Sequence, residues 1–263
     1  MRVFLALCLL VLSGLTQAAI KTQEMPYQSA DGTKMIGYYA YDDAIKGPRP
    51  GVVVVHEFWG LNDYAKRRAR DLAGLGYSAL AIDMYGGGKN TEHPKDAMAF
   101  MQAVLKDSSA AAVRFQAGLE LLKQQPQTDA NKVAAIGYCF GGGVVLNAVR
   151  QGAPLLGVVS FHGALATNTP APPGSVKAKI LVEHGALDSM VTPDAVAAFK
   201  AEMDKAGADY TFVSLEGAKH GFSNPDADRL SHGDHGGPDI GYNKAADERS
   251  WADMQAFFKR IFG

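Results

Sequence analysis

The chain of 263 residues is short of three things, and each shortage removes a class of protein. It has two cysteines, Cys8 and Cys139. The first falls inside an N-terminal leader, so loss of the leader leaves one thiol and excludes an intramolecular disulfide. There is almost no charge imbalance: 26 Lys and Arg stand against 27 Asp and Glu, a net charge of -1. Neither nucleic acid nor an anionic membrane is therefore expected as a partner. Beyond residue 12 there is no apolar run long enough to span a bilayer, so the mature chain is expected to be soluble, with no stable membrane association. What remains is 47 % apolar and 20 % charged, which is globular material with enough apolar residues for a core.

The leader itself is informative. Arg2 precedes an apolar run from Val3 to Leu12, and small and polar residues follow, ending Thr16-Gln17-Ala18-Ala19. That is the order of a secretory signal peptide, with cleavage after Ala18 or Ala19. Residues 1–19 are accordingly expected to be removed on export to the periplasm or medium, leaving residues 20–263 as one domain. Cys8 lies within the apolar run, too early for lipid attachment. Cys139 would then be a lone thiol in an oxidising compartment, tolerated through burial or through use.

Along the mature chain, Met25 to Ser29 and Lys34 to Tyr41 read as a hairpin around Asp31-Gly32. Gly51 to Val55 is a β-branched run of the kind buried on both faces of a parallel sheet. A helix capped by Asn62 or Asp63 follows, then a strand from Tyr77 to Ile82 and one or two helices over Lys95 to Gln124. Further strands are expected over Val133 to Ile136, Leu155 to Phe161, Lys179 to His184 and Tyr210 to Leu215. Thr192-Pro193-Asp194 opens a helix to about Ala206, and a last helix runs from about Lys244 to Ile261. Strands alternating with helices after a hairpin specify an α/β fold, with a mostly parallel sheet covered on both faces. The loop from Asn224 to Gly241 is long for a compact domain and is either functional or mobile.

The chemistry centres on Gly137-Tyr138-Cys139-Phe140-Gly141. An apolar strand runs into Gly-x-Cys-x-Gly, and the residues after it repeat like the buried stripe of a helix. A nucleophile on such a strand-to-helix turn takes a strained conformation that small neighbours permit. The N–H groups at the helix start favour a thiolate, and that of Phe140 can form half of an oxyanion hole. In the α/β-hydrolase arrangement the acid and then the histidine follow the nucleophile in the chain, each after a strand. Asp188 follows the strand ending at His184, and His220 follows the strand ending at Leu215. His220 would be the base and Asp188 the group that fixes its tautomer. Asp194 is the rival acid, although its helix-start position already accounts for it, and His56 and His184 are weaker candidates for the base. His162 reads as a pocket-lining or structural residue. His232 and His235, beside Asp234 and Asp239, lack ligand spacing for a metal.

Taken together, Gly137-Tyr138-Cys139-Phe140-Gly141-Gly142, His56-Glu57-Phe58-Trp59-Gly60-Leu61-Asn62 and Ala218-Lys219-His220-Gly221-Phe222 resemble the dienelactone hydrolase family (carboxymethylenebutenolidases) over nearly the whole mature chain. The resemblance implies a Cys139, Asp188, His220 triad and an oxyanion hole of the Phe58 and Phe140 N–H groups. It also implies that Glu57 takes the thiol proton when substrate displaces it. Read without the resemblance, Glu57 is a loop carboxylate after a buried strand, where desolvation would raise its pKa. Trp59, Tyr85, Phe222 and Asn224 are the residues expected to meet substrate. Family members carry two arginines beside the substrate carboxylate; Gly87 and Asn224 stand at those positions here. Lys89 and Lys219 are the remaining nearby cations, and neither offers bidentate geometry.

The expectation is an exported hydrolase of small carboxylic esters or lactones, acting through a Cys139 thioester without metal or organic cofactor. Neutral substrates should be preferred over dienelactone. The rival expectation is a non-catalytic or redox-responsive hydrolase-fold protein. Peptidase or phosphotriester activity is left open by the elbow alone.

Overall fold

The computed structural model describes residues 20–107, 109–231 and 238–263. The expected signal peptide with Cys8, and His232, Asp234 and His235, lie outside the described residues. Two strands joined across the Asp31-Gly32 turn come first, β1 (Ile20–Gln28) and β2 (Lys34–Asp42), paired antiparallel along their whole length. They are followed by β3 (Arg49–Val55), α1 (Asp63–Gly74), β4 (Ser78–Ile82), α2 (Pro94–Leu105), α3 (Ala110–Lys123), β5 (Thr128–Tyr138) and α4 (Phe140–Arg150). The rest is β6 (Gly157–Phe161), β7 (Lys179–Gly185), α5 (Pro193–Ala206), β8 (Tyr210–Leu215), α6 (Ala227–Ser231) and α7 (Lys244–Phe262).

All eight strands form one sheet in the order β1-β2-β4-β3-β5-β6-β7-β8. Strand β2 is antiparallel to β1 and to β4, and every pairing from β4 to β8 is parallel. Parallel pairing requires crossovers, and the helices that supply them cover both faces. Val53 and Val55 point into a core shared with α3, α4 and α5, while Val52 and Val54 point into one shared with α1 and α7. Burial on both sides is why β3 reads as an unbroken run of valines.

Local signals set the helix ends. The Asn62 side chain accepts from the Ala65 N–H and caps α1, which settles the choice between Asn62 and Asp63. Thr192 caps α5 through the Ala195 N–H, with Pro193 at the first helical position and Gly207 ending the helix at φ 65°. Asp194 is exposed in that first turn, as the dipole favours.

Several boundaries differ from those the sequence suggests. Strand β5 starts at Thr128, five residues early, because Arg49 and Pro50 pair with Thr128 and Asp129 before the register shifts at Gly51. Strand β6 starts at Gly157; Leu155 is buried in a turn that precedes it. The helical region after Lys95 is two helices, and the long loop after Asn224 contains the short α6.

Candidate active site

The elbow is built from close backbone approach. Cys139 sits at φ 53°, ψ -116°, a strained conformation for a residue with a Cβ, between β5 and the first residue of α4. A Cβ on Gly137 would lie 2.0 Å from the Gly141 carbonyl oxygen, and one on Gly141 would lie 2.3 Å from that of Val55. Only glycine lets the turn close on itself and α4 press against the end of β3. The same contact brings Cys139 beside the loop that carries Glu57 and Phe58. Cys139 is only partly covered.

His220 and Asp188 arrive at the same edge from the ends of β8 and β7. The Nδ1–H of His220 donates to Asp188 Oδ2 at 2.8 Å, with both side chains almost fully covered. Asp188 Oδ1 accepts from the N–H groups of Met190 and Val191, which fixes the carboxylate plane. The other ring nitrogen, Nε2, is buried without an aligned hydrogen-bond partner, but the Cys139 sulfur is close enough to act on it. Burial is the largest influence on His220 and opposes its charge. A thiolate at Cys139, were it formed, and the hydrogen-bonded Asp188 carboxylate overcome it and raise its pKa to about 10.

Glu57 is buried at the end of β3, and desolvation lifts its pKa from 4.5 to about 7. The Asn224 amide opposes that rise by donating to Glu57 Oε2 at 2.7 Å, and the charge of His220 opposes it too. Asn224 Oδ1 accepts the Asp226 N–H, so the side chain is held at both ends. The Asn224 side chain is thus committed to Glu57 and to its own loop. Gly87 has φ 65° and open space around it. Lys219 is paired with Asp239 at 2.7 Å, and Lys89 lies over the Phe100 ring.

The aromatic candidates divide. Tyr85 meets the loop that carries Glu57 and Phe58: its hydroxyl donates to the Phe58 carbonyl at 2.9 Å, and burial pushes its pKa up. Phe140 packs against His56 and Tyr85. Trp59 is buried with its ring tilted against that of Phe58, and Phe222 is fully buried edge-on to His162. His56 and His184, the weaker candidates for the base, have structural partners. His56 Nε2 accepts the Met84 N–H, so its Nδ1 carries the proton donated to the Glu57 carbonyl, and burial holds its pKa down. His184 is lowered by burial as well and packs on Phe212.

Sequence reasoning missed the brace beneath the site. Ser223 Oγ bonds His162 Nε2 at 2.8 Å and the Tyr64 hydroxyl at 2.7 Å, and its carbonyl accepts Arg68 Nη2 at 2.9 Å. Arg68 is buried, ion-paired to Asp247 of α7 and stacked between Tyr64, Tyr138 and Trp251. This ties α1 and α7 to the loop holding both His220 and Asn224. Asp83 was missed also: its carboxylate accepts the N–H groups of Ile36, Tyr85, Gly86 and Gly88 and so shapes the Tyr85 loop. No signal in the sequence ties these residues to their partners, apart from the turn propensity of Asp83 before glycines. Among the described residues no group of three or more His, Cys, Asp or Glu side chains could hold a metal ion.

A parallel sheet with a strained residue between β5 and α4, and a His–Asp pair at the same edge, defines an α/β hydrolase. Acylaminoacyl peptidase has the same fold, with a TM-score of 0.68 at 18 % identity; the match covers 94 % of this chain and 42 % of that one. The dienelactone hydrolase family model matches residues 35–262, and the chain belongs to that family. It is 39 % identical, with a TM-score of 0.87, to a dienelactone hydrolase-like promiscuous phosphotriesterase from metagenomic libraries, covering 93 % of this chain and all of that one. It is also 26 % identical to a Saccharolobus solfataricus protein with the provisional name carboxymethylenebutenolidase, over 89 % of this chain and 97 % of the relative.

Proposed function

We propose that this hydrolase cleaves neutral carboxylic esters or lactones through a thioester on Cys139, and that it works after export. The observation that carries the reading is the His220–Asp188 pair at 2.8 Å, at the sheet edge where Cys139 stands on its strained turn. Cys139 Sγ attacks the carbonyl carbon as the carbonyl oxygen takes up negative charge facing the Phe58 and Phe140 N–H groups. Glu57, when ionised, takes the thiol proton as substrate enters. The carbon–oxygen bond to the leaving group breaks, and the alkoxide takes a proton from His220 Nε2. Water then adds to the thioester carbonyl, giving a proton back to His220 Nε2; the carbon–sulfur bond breaks, the acid leaves, and the Cys139 thiolate recovers its proton from Glu57. Asp188 keeps the Nδ1 proton in place throughout.

The test is a burst of chromophore from an aryl ester followed by steady turnover, with intact mass showing the acylated chain. Cys139→Ala and His220→Ala should each lose most of the chemical step, at least a thousandfold in kcat, and the double variant little more. Single labelling without turnover would instead support the redox-responsive reading. Phosphotriester hydrolysis is the second reading, favoured by the likeness to the metagenomic phosphotriesterase; paraoxon in the same assay measures it.

Substrate charge follows from the missing clamp. A carboxylate in a partly dry site gains about 1.5 to 3 kcal/mol from each charge-assisted bond. Gly87 and Asn224 supply none, and Lys219 is already paired. A neutral aryl ester should therefore exceed dienelactone in kcat/KM by roughly tenfold or more. Efficient dienelactone turnover by the unaltered chain would overturn this. Export is supported by the leader at residues 1–19, and a chain beginning near Ala19 or Ile20 recovered from the cell envelope is the expected intact mass.

A further inference from the structure

Helix α4 does more than present the thiol. Phe140, Gly143, Val144, Asn147, Ala148 and Gln151 follow one another at the three- and four-residue spacing of a single helix face. That face borders a cavity of about 480 Å³, within the size range of pockets that take small ligands. The opposite walls come from Met101 and Leu105 of α2, Phe115 of α3 and Ala164 after β6. The groove follows the helix for roughly 16 Å at 1.5 Å per residue. Its nearest approach to the thiol is Phe140, the first residue of α4 and the one directly after Cys139; Cys139 does not itself border the cavity. Asn147, Gln151, Thr167 and Asp107 are among its polar lining residues.

The lining chemistry selects among ligands. No lysine or arginine is among the residues that border the cavity, and the one charged group there is an aspartate. An anionic ligand would enter against that charge with no cation to meet it. A chain with polar groups along its length would leave them unpaired against Met101, Val144 and Ala148. An unbranched apolar chain fits both constraints.

We infer that the groove along α4 is an acyl-chain site, which makes the preferred substrates neutral esters of medium-length aliphatic acids. The inference rests on the proposed ester hydrolysis and names the substrate class for it. With the carbonyl carbon at Cys139 and its oxygen turned to the helix start, the aliphatic chain runs from Phe140 toward Gln151. The leaving group remains on the open side of the thiol.

The experiment compares kcat/KM for p-nitrophenyl acetate and p-nitrophenyl hexanoate. Each buried methylene is worth a factor of roughly four, so hexanoate should exceed acetate by at least tenfold. Ala148→Phe and Ala112→Phe, which narrow the groove from two different helices, should each reduce the hexanoate-to-acetate ratio tenfold or more. Thermal unfolding of both variants checks that they fold; if one does not, the other carries the comparison. Acetate turnover with an unchanged ratio overturns the groove and leaves the ester hydrolase standing. Absence of any ester turnover overturns the hydrolase reading instead. The groove is then decided by saturation-transfer NMR of 2-octanone with Cys139→Ala protein, expected to show binding that Ala148→Phe abolishes. No binding of 2-octanone, or binding that Ala148→Phe leaves intact, overturns it. If Ala148→Phe changes sedimentation and leaves the ratio alone, the groove serves a second copy of the chain and the inference fails.

Discussion

At the scale of single residues, the telling pair is Asn224 and Glu57. A buried carboxyl with a pKa near 7 is half ionised at neutral pH, so a proton acceptor at that position is available as the pH rises through 7. The proposed mechanism therefore gives kcat/KM an acid limb near pH 7, absent in Glu57→Gln. Asn224 tunes the limb in a calculable direction. Its amide donates to the carboxylate and favours the ionised form, opposing desolvation. Asn224→Ala removes the donor and should move the limb up by about one unit or more, since a bond to a charged group is worth about 1.5 to 3 kcal/mol and one unit is 1.36. Asn224→Arg adds a cation beside the carboxylate and should move it down. A pH–rate profile of the three proteins measures both shifts; a limb that stays fixed in all of them would show that Glu57 does not govern it. The same geometry limits what Asn224→Arg can do for a substrate carboxylate, because the new guanidinium would face Glu57 first.

At the scale of elements, the elbow is the least tolerant junction. Gly141→Ala places a Cβ 2.3 Å from the Val55 carbonyl oxygen and 2.7 Å from that of His56, backbone that cannot yield without shifting β3. A loss of about 3 kcal/mol or more is expected in urea unfolding. Gly74→Ala, at the end of α1 with nothing within 4 Å of the added carbon, should instead gain up to about 1 kcal/mol. Equal effects at the two positions would show that close packing of α4 on β3 is not what fixes glycine at the elbow. The contrast also explains which elements can be read from the sequence. β3, β4 and β7 are legible because burial leaves runs of apolar residues, and the edge strand β8 through the β propensity of Tyr210, Thr211, Phe212 and Val213; Cys139, Asp188 and His220 stand out because each follows a legible strand. The break between α2 and α3 is hidden, since Lys106 and its neighbours carry no glycine or proline. The five residues of α6 are too few to show a period. The brace joining Arg68, Ser223 and Asp247 spans 155 and 179 residues of chain, and no local pattern encodes a bond of that reach.

For the whole molecule, the buried ionisable groups set how stability depends on pH. His56, His162 and His184 have pKa values lowered chiefly by burial, so the folded chain resists protonation where the unfolded chain accepts it. Their contribution is present above about pH 6.5 and lost below it. Glu57 and Glu183 act at the other end. Glu183 on β7 is fully buried with no hydrogen-bond partner for either carboxylate oxygen, and desolvation, reinforced by Asp253, raises its pKa to about 8. An acid raised in this way contributes stability below its unfolded value of 4.5 that is lost as pH rises through the folded value, between about 4.5 and 7 for Glu57 and between about 4.5 and 8 for Glu183. His220, raised to about 10, loses its contribution between about 6.5 and 10. The opposing slopes partly cancel between about pH 4.5 and 6.5; above that range Glu57, Glu183 and His220 all pull the same way. Stability should therefore be greatest on the acid side of neutrality and fall steadily into the alkaline range. Glu183 can be separated from the rest because it lies outside the reaction centre. Glu183→Met keeps the volume and removes the titration, so it should gain on the unaltered chain by up to about 3 to 4 kcal/mol between pH 5 and pH 9, at 1.36 kcal/mol per pH unit. Urea unfolding at the two pH values measures it. A difference between the two proteins that does not change with pH would mean that Glu183 is ionised in the folded chain and has a partner for its charge.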